Sequence, residues 1–327
     1  MKPIDRVVFF GTPQFSISTL VALANSRYRP TWVVTQPRRP SGRGRRLQDP
    51  PVARWATEAG IEVRQPAKVR DEEFLADLES LEADVAVVVA FGQIFPQKLL
   101  DLPRLGCVNL HGSLLPRFRG AAPIQAAIAE GVEETGVTTM RMEAGLDSGP
   151  ILLQRSTRIE ARETAAVLAE RLARSGGELM METLRGIEDG SLEPQEQDHE
   201  QATYAPRLKK TDGIVEWTRT AAEIDRRFRA FQPWPGLMTT CRGRDLKLVE
   251  VEALSRREDD SPPGSFLGLD DDGLRVACAD GSVLGIRRVQ RPGRRVVEAR
   301  EFCNGERLVV SQQEFSFPEG PAHGDSP

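Results

Sequence analysis

Short apolar runs alternate with helical patterns over the first two hundred residues. RVVFFG, WVVTQ, IEVRQ, DVAVVVA and GCVNLH read as strands, with FSISTLVALA, DEEFLADLESL and PIQAAIAEG as helices among them. Strands and helices alternating in this way form βαβ units, which predict an α/β domain with a Rossmann-like, mostly parallel sheet. DVAVVVA is apolar at every position, as a central strand covered on both faces should be. TGVTTMRM and ILLQRSTRI follow as two more strands around the loop EAGLDSGP. Leu168, Leu172, Leu179, Met180, Leu184 and Ile187 then recur at helical spacing and predict one long amphipathic helix.

After Ile187 the pattern changes. DGSLEPQEQDHEQATYAPRLKKTDG is polar, contains turn formers and reads as a connector. A short helix carries Ile224, Phe228 and Phe231 on one face and ends at Trp234-Pro235-Gly236. From Leu237 onward only strand-like runs occur (LMTTC, LKLVEVEAL, SFLGL, LRVACA, VLGIRRV), divided by the hairpin signals DDDG and ADG. Such a series predicts a small OB-like β-barrel. A chain of 327 residues exceeds the usual single-domain size. The expected division is an α/β domain over 1–205, a barrel over 206–312 and a loose tail over 313–327.

Composition narrows this little. Hydrophobic residues make up 39% and charged residues 28%, the balance of an ordinary globular protein. A formal charge of −4 argues against a generally basic nucleic-acid binder but leaves room for local patches. The N-terminal apolar run is short and preceded by Asp5, and no segment approaches the roughly 18 apolar residues of a membrane span. A cytoplasmic protein with no membrane partner is expected. Cys107, Cys241, Cys278 and Cys303 lie far apart, form no CxxC pair and are accompanied by three histidines. That spacing argues against zinc and against structural disulfides, so no metal site is expected.

The chemistry gathers in GCVNLHGSLLPRFRGAAP, Gly106 to Pro123. Side chains alternate along a strand, so Cys107, Asn109 and His111 share one face while Val108 and Leu110 pack on the other. Ligands of parallel sheets bind outside the carboxyl ends of the strands, where Asn109 and His111 fall. The two polar groups either cap a strand or form a site. An amide NH₂ and an imidazolium N–H aimed at one point would stabilise a carbonyl oxygen that becomes negative. A carboxylate would fix the imidazole, and Asp147 in GLDSGP is the candidate, although spacing alone does not establish the contact. No GxSxG elbow, GxGxxG or GxxxxGK[ST] occurs, so neither a covalent Ser mechanism nor NAD or ATP binding is supported. Direct attack by a substrate amine on a carbonyl suits these residues.

GCVNLHGSLLPRFRGAAPIQ together with ETGVTTMRMEAGLDSGP resembles the signature of the 10-formyltetrahydrofolate-dependent formyltransferases. The resemblance implies that Asn109, His111 and Asp147 are catalytic and that Ser113, Leu114, Leu115 and Pro116 line the folate site. It also implies that 10-formyltetrahydrofolate is a consumed co-substrate and that no metal is needed. VTQPRRPSGRGRRL, AFGQIFP and FRAFQPWPG are closest to family members that formylate methionyl initiator tRNA, and the last of these lies in the second domain. The implied partners are therefore initiator methionyl-tRNA and folate, with the protein a monomer. Members acting on amino sugar nucleotides tend to read RGRAP where this chain has RGAAP, Arg119 to Pro123. A third possibility, from another class, is a non-catalytic RNA binder using the barrel alone.

VTQPRRPSGRGRRLQDPPV carries Arg38, Arg39, Arg43, Arg45 and Arg46, with no acidic residue between Gln36 and Gln48. Such a loop is either a solvated basic surface or a phosphate holder. The resemblance implies that it enters the acceptor end of tRNA, with Arg43 at the key basic position and Arg38 where a familiar version has Asp. From Ala205 onward there are 20 Lys plus Arg and 20 Asp plus Glu, so a tRNA contact there needs a local patch. Lys209 and Lys210 are the first candidates, and the run RRVQRPGRRV is the second.

Overall fold

A computed structural model describes residues 3–41, 46–254, 261–271 and 273–316. The chain forms two compact units, one of 1–124, 133–159 and 167–206, the other of 125–132, 160–166 and 207–327. The second unit's main segment begins at residue 207, beside the expected boundary, and two short segments from the first half of the chain also belong to it.

In chain order the first half contains β1 (Val7–Gly11), α1 (Ile17–Ala24), β2 (Pro30–Val34), β3 (Arg39–Ser41), β4 (Arg46–Gln48) and α2 (Pro51–Glu58). It continues with β5 (Glu62–Arg64), α3 (Glu72–Ser80), β6 (Val85–Val89), α4 (Gln97–Asp101), β7 (Cys107–His111) and β8 (Arg119–Gly120). Then come α5 (Pro123–Glu130), β9 (Glu134–Arg141), β10 (Ile151–Arg158), α6 (Ala165–Asp189) and β11 (Tyr204–Ala205). The main sheet has the order β10-β9-β7-β6-β1-β2-β5. From β7 to β5 neighbouring strands are parallel, while β9 and β10 are antiparallel. β1 and β6 are buried at every position, as their unbroken apolar runs require.

One face of this sheet carries Val8, Phe10, Ala86, Val88 and Cys107 into a core with Phe74, Leu75 and Leu78 of α3 and Leu99 and Leu100 of α4. Phe10 is the hub, with the rings of Phe91 and Phe95 edge-on at 5.4 and 5.0 Å. On the opposite face Leu110 lies against α6 at Gly176, where an added Cβ would stand 2.5 Å from Leu110 Cδ2. The turns at the carboxyl ends of β1, β2 and β6 are tied together. Ser16 Oγ donates to Val89 O, and Thr12 Oγ1 and Gln36 Nε2 both donate to Phe91 O.

The connector does not hang free. Gln195 pairs with Ile151 and β11 pairs with β8, so the polar stretch after α6 is stitched back onto the first unit. The basic loop is a hairpin of β3 and β4 rather than an irregular loop.

The second half adds α7 (Ala221–Ala230), β12 (Leu237–Cys241), β13 (Arg244–Leu254), β14 (Phe266–Asp270) and β15 (Gly273–Ala277). It ends with β16 (Val283–Gln290), β17 (Val296–Glu298), α8 (Ala299–Glu306) and β18 (Phe315–Ser316). Thr220 and Glu223 form a capping box that starts α7, as a Thr-x-x-Glu sequence should. The strands make one antiparallel sheet in the order β14-β15-β16-β13-β12-β18, with β17 on β16. Its two ends meet. Phe266 N donates to Gln312 O, Ser311 N to Phe266 O and Phe315 N to Gly264 O, which closes the sheet into the small barrel expected.

That closure overturns the loose tail at its first residues. Phe315 is fully buried beside Trp217, and Glu314 is bound in a two-pronged pair by Arg242. The physical reason is the barrel's open edge, whose backbone groups need partners. Residues 317–327 lie outside the described residues. Among the described residues no helix is long and apolar enough to cross a membrane.

Candidate active site

Asn109 and His111 stand at the carboxyl end of β7, on the face that carries Cys107 deeper in the sheet. In register, Asn109 lies between Val88 of β6 and Met140 of β9, and His111 is paired with Thr138. His111 is buried and Asn109 half-buried. The Asn109 amide has no hydrogen-bond partner among the described residues.

Asp147 is brought to His111 by the loop between β9 and β10. Its Oδ2 lies 3.6 Å from His111 Nδ1 and accepts a 2.8 Å hydrogen bond from Gly120 N. Asp147 has φ of 49°, a left-handed conformation that Asp tolerates better than most residues. Gly149, two residues on, has no room for a side chain, since a Cβ would lie 2.0 Å from Arg141 O. The loop is therefore tightly folded against the end of β9.

The other ring nitrogen of His111 is engaged too. Nε2 is 2.9 Å from Phe118 O, and a carbonyl oxygen can only accept, so Nε2 carries a proton. A neutral ring would then turn a bare Nδ1 lone pair toward the carboxylate, whereas the doubly protonated ring turns an N–H toward it. The ring is held between Phe118 O and Asp147. The Asn109 amide is a donor with no partner among the described residues.

The turn after β7 divides the four residues expected at a folate site. Ser113 is fully buried, with its hydroxyl on Arg117 O and its carbonyl receiving Thr138 Oγ1 at 2.6 Å. Thr138 Oγ1 in turn accepts from Leu115 N and from Gln154 Nε2, which also donates to Leu115 O. Ser113 and Leu115 thus hold the turn from inside. Leu114 and Pro116 are half-buried, and Leu114 lies over Gly136, whose Cβ would come within 2.6 Å of it. Apolar side chains beside backbone groups in fixed positions form a surface that a flat heteroaromatic ring with polar edges would fit.

Several residues in this arrangement gave no sequence signal. Arg119 and Gln197 are buried, joined by two hydrogen bonds of 3.1 and 2.7 Å to Gln197 Oε1. Gln197 Nε2 donates to the carbonyls of Asp147 and Gly149. Phe118 N and Arg119 N are held by Thr203. Thr138 was within reach of sequence reasoning, since alternation along β9 places it on the face of Met140. Gln197 and Thr203 sit in a stretch without periodicity.

The basic candidates are scattered in outcome. Arg43 and Arg45 lie outside the described residues, and of Arg46 only its place at the start of β4 is described. Arg38 is paired with Asp49 at 2.8 Å, just beyond the acid-free stretch, so the charge it adds is offset. Lys209 and Lys210 are exposed and have no ion-pair partner among the described residues. In the later run Arg287, Arg288, Arg291 and Arg295 are bound to Glu252, Glu250, Glu306 and Glu301. That patch is largely neutralised.

A family model described as formyl transferase matches residues 5–184, which include β7, the turn after it and the Asp147 loop. The chain belongs to the formyl transferase family. A second model, formyl transferase C-terminal domain, matches residues 207–307 of this formyl transferase. The methionyl-tRNA formyltransferase of Ectopseudomonas mendocina is 47% identical over 302 residues, covering 92% of this chain and 95% of that protein. The protein of the same name from Anaeromyxobacter dehalogenans is 47% identical over 303 residues, 92% and 97% of the two chains. Among solved structures, the Helicobacter canadensis N-formyltransferase in complex with folinic acid and dTDP-3-aminofucose has a TM-score of 0.65 at 17% identity, over 86% of this chain and 98% of its own. WlaRD, a sugar 3N-formyl transferase, has a TM-score of 0.64 at 16% identity, over 90% and 100%. At such identity the likeness is one of fold.

Proposed function

We propose that this formyl transferase moves the formyl group of 10-formyltetrahydrofolate to the α-amino group of methionine on initiator tRNA, in support of translation initiation. The observation that carries the reading is identity of 43–47% to methionyl-tRNA formyltransferases along both units, not merely across the catalytic module. The sugar-acting structures share only the fold, and this chain reads RGAAP at Arg119 to Pro123.

The site's own residues supply the chemistry in the following way. Asn109 donates to the formyl oxygen, whose charge grows as the neutral amine adds to the formyl carbon. His111, clamped between Phe118 O and Asp147, places a positive charge beside that oxygen. The amine must lose a proton and the departing folate nitrogen must gain one, and the His111–Asp147 pair is placed to assist that transfer. Leu114 and Pro116 offer the apolar surface for the folate, with Ser113 and Leu115 fixing the turn beneath. Arg43, Arg45, Arg46, Lys209 and Lys210 are the tRNA contacts in this reading. Positioning and oxyanion stabilisation carry the rate, and no covalent enzyme intermediate is needed.

The test offers the purified protein 10-formyltetrahydrofolate with charged initiator tRNA, charged elongator methionyl-tRNA or an amino sugar nucleotide. Formylation of the initiator in strong preference to the other two is expected. Turnover of the sugar nucleotide alone would overturn the reading.

A further inference from the structure

The geometry points to Gln197, oriented by Arg119, as a positioning residue that sets Asp147 against His111. This rests on the role proposed above for the Asp147–His111 pair. Gln197 is only 5% exposed and lies fifty residues along the chain from Asp147. Its amide can face only one way. The guanidinium of Arg119 has donors alone, so it must meet Oε1, and it does so through Nε at 3.1 Å and Nη2 at 2.7 Å. Nε2 must then point the other way, where it spans the loop, 2.9 Å from Asp147 O and 2.7 Å from Gly149 O. Both lone pairs and both N–H groups of one buried amide are in use.

The consequence is a two-sided grip on Asp147. Gly120 N holds the side chain through Oδ2, and Gln197 Nε2 holds the main chain through the carbonyl. The neighbouring residues Arg119 and Gly120 feed both sides. Gly120 can do so because it has φ of 115° and no side chain, since a Cβ there would lie 2.7 Å from Ala205 O. Asp147 itself is in the left-handed region, a conformation unfavourable for a non-glycine residue that persists only where the surroundings impose it. Arg119 has no carboxylate within ion-pair distance among the described residues. Its other contact is the exposed His199, whose Nδ1 must accept, at 3.0 Å. A buried guanidinium satisfied by neutral acceptors is costly, and a role in fixing this loop accounts for its presence.

Gln197→Glu separates the two halves of the arrangement. A carboxylate accepts from Arg119 at least as well as the amide, so the fold keeps its buried guanidinium contact, but it cannot donate to Asp147 O or Gly149 O. The experiment measures kcat and both KM values for the parent, Gln197→Glu, Asp147→Asn and the double variant, with whichever formyl acceptor the parent uses. Thermal melts accompany the kinetics, and a crystal structure of Gln197→Glu reads the loop without any substrate. The expected result for Gln197→Glu is a kcat about 10–100-fold lower, the scale of an ångström's misplacement, with both KM values within threefold and the melting temperature retained. Because Gln197 acts through Asp147, adding its substitution to Asp147→Asn should cost less than threefold more. The crystal structure should show the Asp147 carbonyl turned away from position 197. Parental kcat in Gln197→Glu, or losses that simply multiply in the double variant, or an unmoved Asp147 would overturn the proposal. A parent that formylates an amino sugar nucleotide instead of methionyl-tRNA would refute the function proposed above while leaving this cycle intact.

Discussion

Asp147→Asn should lower turnover about 100-fold while leaving folate binding unchanged, and the structure says why the loss is one of charge alone. One oxygen, Oδ2, both accepts from Gly120 N and faces His111 Nδ1 at 3.6 Å. The Gly120 N–H demands an acceptor, so an asparagine amide will place its oxygen there and keep the loop's shape. What disappears is the negative charge. At 3.6 Å two unit charges interact by about 4–5 kcal/mol at an effective dielectric of 20 and by about 1 kcal/mol in bulk water. The two side chains are only 7% and 15% exposed, which places the pair nearer the first limit. Only the part of that energy gained as the transition state forms affects kcat, so about 2–3 kcal/mol is the reasonable share, or roughly 100-fold. Single-turnover formylation of charged initiator tRNA, with a folate analogue titrated separately, reads both quantities. Asp147→Ala is the poorer variant, since it also strips Gly120 N of its acceptor. An Asp147→Asn enzyme within threefold of the parent would remove the carboxylate's charge from the mechanism.

Asn109→Ala and His111→Ala should each lower kcat by about 100-fold or more, the usual cost of one electrostatic group at an oxyanion, with folate affinity held; near-normal turnover in either would refute its role. Arg43→Ala should weaken tRNA binding and flatten the dependence of log affinity on log salt by about 0.7–0.9, one phosphate contact, without touching folate binding. An unchanged slope with unchanged turnover would leave the hairpin a solvated surface. For Glu314 the hydrogen bonds from Arg242 hold the carboxyl below its ordinary value, against the opposing effect of burial. Stability from a depressed carboxyl is present above the unfolded value and is lost as pH falls through the folded one. Glu314→Gln should therefore melt lower than the parent at pH 7, with the gap closing in acid below the ordinary carboxyl range; an equal gap at pH 7 and pH 3 would show that the ion pair is not its source.

The fold was legible where burial leaves a period. The apolar runs of β1 and β6, the alternation along β7 and the spacing of Leu168, Leu172 and Leu179 each have one structural solution, and the structure adopts it. Legibility failed where a segment is held by backbone bonds instead of apolar side chains. Gln313 to Ser316 closes the barrel through main-chain pairing and one phenylalanine, too little pattern to separate from a tail. The β3–β4 hairpin is short and polar, and β8 and β11 are two residues each. Segments 125–132 and 160–166 join the second unit through contacts such as Arg226 with Ala129 O and Arg229 with Glu163 O, which no linear boundary can express.

The same distinction divides the candidate site. Asn109 and His111 could be read because a strand's alternation fixes their face and its carboxyl end fixes their place. Asp147 could be proposed because its loop joins two strands of the same sheet. Yet His111 and Asp147 are not held by their own elements alone. His111 is fixed by Phe118 O, Phe118 by Thr203, and Asp147 by Gly120 and Gln197, so the geometry of the candidate site depends on a polar connector some ninety residues downstream. A buried glutamine that spans two carbonyls has the same composition as a solvated one, so neither hydropathy nor periodicity distinguishes them. What distinguishes them is the complete use of the amide, which only coordinates reveal. Substitutions between Gln195 and Ala205 should consequently behave as active-site substitutions, lowering kcat ahead of stability, although the stretch reads as linker. The tightest constraint falls at Gly120, where the pairing of β8 with β11 and the hydrogen bond to Asp147 meet on a residue that admits no side chain.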